Sequence, residues 1–254
     1  MRYALISDIH GNLPALDAVL DHIDQRDDVD AIYHLGDLVG YAPFTNEVVE
    51  RLLEWGISGV AGIYDSTTAT DYEHCGCRYE DPRQEELSHA SYAWTLSNVT
   101  SETKRRLGAL PFRLDLRPLG GHTGGPRLIL VHGNPVLNTV YWTEDRSDAF
   151  CSQMAGRLGA RAGDWIAFGH THLPWHREVE GVHFVNTGSV GRPKDGDPRA
   201  GYVTIEFEGD ADGAAEVEFV RVDYDVTRAA EAIRESDLPD AFAAFLESGG
   251  TRLE

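Results

Sequence analysis

Short apolar runs along this chain end, one after another, in residues of the kinds that bind metal ions. Tyr3 to Ser7 leads into Asp8 and His10, Ala31 to Leu35 into Gly36 and Asp37, Arg127 to Val131 into His132, and Trp165 to Phe168 into Gly169, His170 and His172. Between the first two runs, Asn12 and Pro14 open a segment with Leu13, Leu16, Val19, Leu20 and Ile23 at helical spacing, Asn12 serving as its cap. Asn46 to Trp55 reads as a second helix and Ile57 to Ala61 as a third strand. A βαβαβ order requires parallel strands joined by right-handed crossovers. It sets the ligand-bearing turns at the carboxyl ends of strands, where groups distant in sequence converge.

Further along, residues 62 to 82 are polar and read as a long functional loop, and Glu85 to Leu107 as helical. Phe112 to Leu116 and Arg127 to Val131 read as strands, and Asp145 to Leu158 as a helix. Val182 to Val185, Tyr202 to Phe207 and Glu216 to Val222 read as later strands, antiparallel because their connections are too short for helices. Asn186 to Asp197 is a Gly/Pro-rich loop, and Val226 to Ser236 and Leu238 to Leu246 have helical spacing around Pro239. The expectation is one domain over 1–254, with an insertion at about 62–107 and a helical appendage at about 226–254.

Charge narrows the partners. With 22 Lys and Arg against 42 Asp and Glu, the net charge is -20, which opposes binding along a nucleic-acid backbone because such binding needs a basic face. An anionic substrate must then be met locally, by metal ions or a few cations. No membrane span and no leader are evident, so a cytoplasmic protein is expected. Cys75, Cys77 and Cys151 are too few and too irregular for a disulfide framework, and are expected as reduced thiols.

Asp8, His10, Asp37, His132, His170 and His172 together offer carboxylate and imidazole ligands. Such mixed nitrogen and oxygen ligation suits Mn, Fe, Zn, Co or Ni better than Ca or Mg. Taken singly the blocks say little, since Asp-x-His and Gly-Asp are common in loops. Four in this order, each at a strand end, point to one metal centre.

The runs Ser7-Asp8-Ile9-His10-Gly11-Asn12, Leu35-Gly36-Asp37, Val131-His132-Gly133 and Gly169-His170-Thr171-His172 resemble the calcineurin-like metallophosphoesterase superfamily, especially its small bacterial phosphodiesterases. The resemblance covers residues 1 to about 208 and extends to Asn186-Thr187-Gly188-Ser189-Val190. It implies an α/β (α+β) fold, a four-layer αββα sandwich of two mixed sheets flanked by helices, with the metal site at the carboxyl ends of the strands. It also implies two divalent transition metal ions, manganese first. Asp8, His10 and His172 would hold one ion, His132 and His170 the other, and Asp37 would bridge them.

One block departs from the pattern. Where the family has Gly-Asn-His and an acidic residue, this chain has Gly62, Ile63, Tyr64 and Asp65. Ile63 has no donor atom, so a weaker second site is expected. Tyr64, held by Asp65 or water, takes the place of the histidine that assists the leaving group, although its reference pKa near 10 makes it the poorer acid. Asn12 and Arg192 are candidate phosphate-binding residues, with Lys194 beside Arg192. The resemblance thus implies a phosphodiesterase acting on small nucleotide-like or generic diesters through a metal-bridging hydroxide, with a homo-oligomer left open. The alternative is a binding or scaffold protein with a degraded centre, like the retromer scaffold subunit of the same superfamily.

Overall fold

The structure is a computed structural model that describes residues 1–76, 81–118, 125–137, 139–207 and 215–252. Strand β1 (Arg2–Ile6), helix α1 (Leu13–Asp24), β2 (Ala31–His34), α2 (Thr45–Glu54) and β3 (Ser58–Gly59) form the expected βαβαβ unit, with β1, β2 and β3 parallel. Next come α3 (Ile63–Ala69), α4 (Pro82–Asn98), α5 (Ser101–Leu107), β4 (Arg113–Leu116), β5 (Leu128–Val131), α6 (Asp148–Leu158) and β6 (Trp165–Phe168). The chain closes with β7 (Trp175–Val179), β8 (Val182–Asn186), β9 (Ala200–Phe207), β10 (Ala215–Val222), α7 (Val226–Arg234) and α8 (Ala241–Glu247).

Two mixed five-stranded sheets result, ordered β10-β9-β1-β2-β3 and β4-β5-β6-β8-β7. The alternation of side chains along each strand builds the layers. Tyr3 and Leu5 of β1 and Leu128 and Leu130 of β5 face the core between the sheets, alongside Trp165, Val203, Ile205 and Phe207. Ala4 and Ile6 turn the other way, against Leu16, Val19 and Leu20 of α1. Ile129 and Val131 likewise meet Cys151, Met154 and Leu158 of α6. The order helix, sheet, sheet, helix is therefore written in strands apolar on both faces.

Three elements differ from the sequence expectation. The polar stretch after Gly62 is not all loop: Asp65, third in α3, accepts the backbone N–H of Gly62 and so nucleates a helix. Hydroxyls in its Ser/Thr run bond back to carbonyls one turn earlier, as Ser66 does to Gly62. Strand β7, which was not anticipated, is a polar edge strand whose Trp175 and Val179 are buried between exposed neighbours. Strand β8 pairs parallel with β6 and antiparallel only with β7, so a short connection did not force a wholly antiparallel set. Cys77 lies outside the described residues. Among the described residues no helix is long and apolar enough to cross a membrane.

Candidate metal centre

The six predicted ligands converge at the carboxyl ends of β1, β2, β5 and β6 as two buried triads, Asp8/His10/His172 and Asp37/His132/His170. Five of the six, all but His132, adopt left-handed backbone at φ between 51° and 65°. Asp and His tolerate this region better than most residues, and the surrounding hydrogen bonds hold them there. The N–H of Asp8 donates to the Gly36 carbonyl at 2.9 Å, and that of His10 to the Asp37 carbonyl at 3.0 Å, which stitches the first two ligand turns together.

Carbonyl oxygens fix the imidazole tautomers. Nδ1 of His10 lies 3.1 Å from the Val39 carbonyl, that of His132 is 2.8 Å from Leu35, and that of His172 is 2.5 Å from Arg192. A carbonyl can only accept, so each Nδ1 carries a hydrogen and each ring turns its Nε2 to the centre. Nε2 of His10 and of His172 lie 3.2 Å apart, both near Asp8 Oδ1, at 3.8 and 3.2 Å. Asp37 Oδ2 lies 3.8 Å from His10 Nε2 and 3.3 Å from His132 Nε2, between the triads, where a bridging ligand would sit.

The remaining carboxylate oxygens are anchored. Asp8 Oδ2 accepts from the Ser7 hydroxyl at 2.6 Å and from the His170 backbone at 2.9 Å, and Asp37 Oδ1 accepts from the Tyr64 backbone at 2.9 Å. Asp8 Oδ1 and His170 Nε2 are buried and lack a hydrogen-bond partner. Unpaired buried polar atoms are costly, and atoms of this kind aimed at one point fit bound cations. The donor set therefore suits two transition metal ions, with Asp8, His10 and His172 on one and Asp37, His132 and His170 on the other.

Electrostatics without ions shows what a metal must displace. Burial opposes charge on His132, yet the Asp37 carboxylate beside it and the hydrogen bond between them push its pKa up to about 10. Burial favours the neutral acid in Asp37, but the His132 charge wins and holds it well below the usual carboxylate range. Burial raises Asp8. His10 and His170 are lowered by burial to about 3, and His172 falls well below its ordinary value by burial and then the charges of Lys194 and Arg192.

The altered block lies beside Asp37. Gly62 is required by close approach, since a Cβ there would come within 2.1 Å of the Asp37 backbone nitrogen and 2.2 Å of its Oδ1. Ile63 is buried in the first turn of α3, and the second triad contains three ligands. Asp65 is buried too, but its oxygens accept from the backbones of Asp37, Leu38 and Gly62 at 2.8 to 2.9 Å. Burial, then the charge of Asp37, raises its pKa to about 7. It is a positioning residue for the turn that carries Asp37. The Tyr64 hydroxyl lies 3.3 Å from the Ser88 hydroxyl and 3.5 Å from that of Ser91, both on α4, while the ring stands edge-on to His10.

Asn12 keeps the capping role read from the sequence. It caps α1 by accepting the Ala15 N–H at 3.2 Å, and its amide donates to the Gly191 carbonyl at 2.9 Å and the Tyr224 hydroxyl at 3.2 Å, so both ends of the side chain are engaged within the fold. Arg192, by contrast, lines a cavity of about 310 Å³ over the triads, with Lys194, Tyr41, Tyr141, Phe242 and Phe245. Its guanidinium carbon sits 4.0 Å from the Tyr41 ring centre and 3.8 Å from that of Phe245. Tyr41, Tyr141, Phe242 and Phe245 went unread in the sequence as lining residues, since none carries a local motif. Cys75 is buried beside Ser88, at 3.7 Å from its hydroxyl.

Residues 1–210 match the family model of the calcineurin-like phosphoesterase superfamily domain. The chain belongs to that superfamily. A protein of Methanocaldococcus jannaschii described as uncharacterized is 29% identical over 259 aligned positions, covering 93% of each chain. A crystal structure of a metallophosphoesterase from Sphaerobacter thermophilus is 29% identical with a TM-score of 0.73, covering 98% of this chain and 100% of that one. The fold is shared more closely with a hypothetical protein of Pyrococcus horikoshii, at TM-score 0.80 and 23% identity over 98% of both chains.

Proposed function

We propose that this superfamily member is a metal-dependent hydrolase of small phosphate esters, acting first on diesters. The convergence of six buried ligand-type side chains, with Asp8 Oδ1 and His170 Nε2 left without a hydrogen-bond partner, supports this reading above all. A scaffold has no physical need for bare imidazoles in a dry cluster. Two divalent ions, manganese foremost, would lower the pKa of water and offset charge on the phosphoryl oxygens.

The chain's own groups supply the rest. Arg192 and Lys194 on the cavity wall meet the anionic ester against an overall charge of -20. Carbonyls of Val39, Leu35 and Arg192 hold three imidazoles in one tautomer, so no ligand must reorient during turnover. Asp65 holds the Asp37 turn. Water adds to phosphorus, the bond to one alcohol oxygen breaks, and the alcohol leaves with a proton. The acidic surface favours small esters over long nucleic acid.

Hydrolysis of bis(p-nitrophenyl) phosphate and p-nitrophenyl phosphate, with Mn, Fe, Zn, Co or Ni added in turn, tests the proposal. Metal-dependent release of nitrophenol, faster from the diester, is expected. No release from either ester with any of the metals overturns it.

A further inference from the structure

The family match ends at residue 210, yet part of the wall over the metal centre comes from beyond it. Helices α7 and α8 pack on Ala42 and Leu87 through Ala230, Ile233, Phe242 and Leu246, and so bury an apolar face against the βαβαβ unit. This packing brings Phe242, Phe245 and Gly250 to the cavity that His10, Asp37, His170 and His172 also line.

The contact with the Arg192 loop is closely fitted. Gly250 has φ +91°, and a Cβ there would come within 2.5 Å of the Pro193 carbonyl oxygen and 2.6 Å of Lys194 Cα. Only glycine suits both the left-handed backbone and the approach. One residue earlier, the Gly249 carbonyl accepts the Gly196 N–H at 2.9 Å, so the turn after α8 is hydrogen-bonded onto the loop. Phe245 and Tyr41 then both pack against the Arg192 guanidinium, whose carbon lies over each ring. The Arg192 carbonyl orients His172, and its N–H donates to the Ser189 hydroxyl at 2.7 Å, so the clamped residue is continuous with the metal centre.

We propose that the C-terminal segment Val226–Gly250 selects the substrate: it holds Arg192 in place for the phosphoryl group and limits the group lodged in the cavity to a compact one. This rests on the phosphoesterase reading above. The cavity volume of about 310 Å³ lies at the low end for small-molecule sites. Both ring faces that meet Arg192 serve to orient its charge. Phe242 is a specificity-determining residue and Phe245 a positioning residue.

The test compares phenyl phosphate with the bulkier 4-methylumbelliferyl phosphate in the manganese-loaded wild type and in Phe242→Ala, Phe245→Ala and Gly250→Val, alongside binding of inorganic phosphate. The wild type should favour the phenyl ester by about tenfold or more in kcat/KM, the scale on which pocket shape discriminates. Phe242→Ala should reduce that preference by admitting the larger ester. Phe245→Ala should raise KM and weaken phosphate binding about tenfold with a smaller change in kcat. Gly250→Val should do both. Phe242→Leu gives the size test in a milder form if a larger change prevents folding. Hydrolysis of both esters with the same preference in wild type and variants overturns the selecting role and leaves the phosphoesterase reading standing. Absence of hydrolysis of both esters, and of bis(p-nitrophenyl) phosphate as well, by the loaded wild type overturns that reading and the inference with it.

Discussion

Asp65 and Asp37 hold each other's turns: the Asp65 carboxylate accepts the backbone N–H of Asp37 at 2.8 Å, and Asp37 accepts that of Tyr64, the residue before Asp65, at 2.9 Å. The Asp37 carboxylate is thus oriented by the block in which this chain departs from the pattern it resembles. What that block lost in Ile63 as a ligand it retains in Asp65 as a brace.

Asp65→Asn should show the value of the brace. An amide has one accepting oxygen, whereas the carboxylate serves three backbone donors. A loss of about 1–3 kcal/mol is expected from buried donors left unpaired, read as a lower denaturant midpoint, together with weaker binding at the Asp37/His132/His170 triad. Unchanged stability and metal affinity would remove the brace.

Ile63→Asn should restore an amide oxygen beside Asp37, where the triad has three ligands. The weaker ion is expected to bind about tenfold more tightly, on the scale by which individual site groups alter metal affinity, against a cost of about 2 kcal/mol or more for placing an amide in a buried apolar position. Calorimetric metal titration reads the first and denaturation the second. Identical affinities in the two proteins would show that the third block does not limit the second site.

Tyr64→Phe should keep most of the activity. A general acid contributes about 10²–10⁴-fold, but the hydroxyl lies with Ser88 and Ser91 on α4. A change in kcat of less than about fivefold, with a stability loss of about 1 kcal/mol for the missing hydrogen bonds, is expected from steady-state kinetics and denaturation. A hundredfold fall in kcat would restore the proton-donor role.

The metal centre was legible because each ligand ends an apolar run, so the strand pattern alone delivers it to the sheet edge. The roles around it were not, because they depend on where a side chain points after packing. Asn12 and Asp65 have residue types that suit ligand contact, yet both are consumed by backbone groups from other elements. Phe242 and Phe245 read as ordinary core positions, and only the docking of α8 brings them to the cavity. Strand β7 was missed because its polar residues face outward along a sheet edge.

His34 should make stability fall in mild acid. It is buried at the end of β2, and burial lowers its pKa to about 4, whereas the unfolded chain has about 6.5. Above pH 6.5 both states are neutral and the folded state keeps its full advantage. Between about 6.5 and 4 the unfolded state alone takes up the proton, so up to about 3 kcal/mol is lost as pH falls, and no more below the folded value. In metal-loaded protein, His34→Asn should flatten the slope of stability against pH in that window by up to one proton. An unaltered slope would contradict the assignment.

Loading the centre is expected to release a proton from His132, whose pKa the Asp37 carboxylate raises to about 10. Manganese titration by calorimetry at pH 7, in buffers of differing ionisation enthalpy, reads both that proton and the two sites. Two unequal sites are expected, with close to one proton released on filling the weaker, which disappears in His170→Ala while His172→Ala weakens the tighter. A single ion, no proton release, or the same titration in both variants would contradict a two-ion centre built from these six residues.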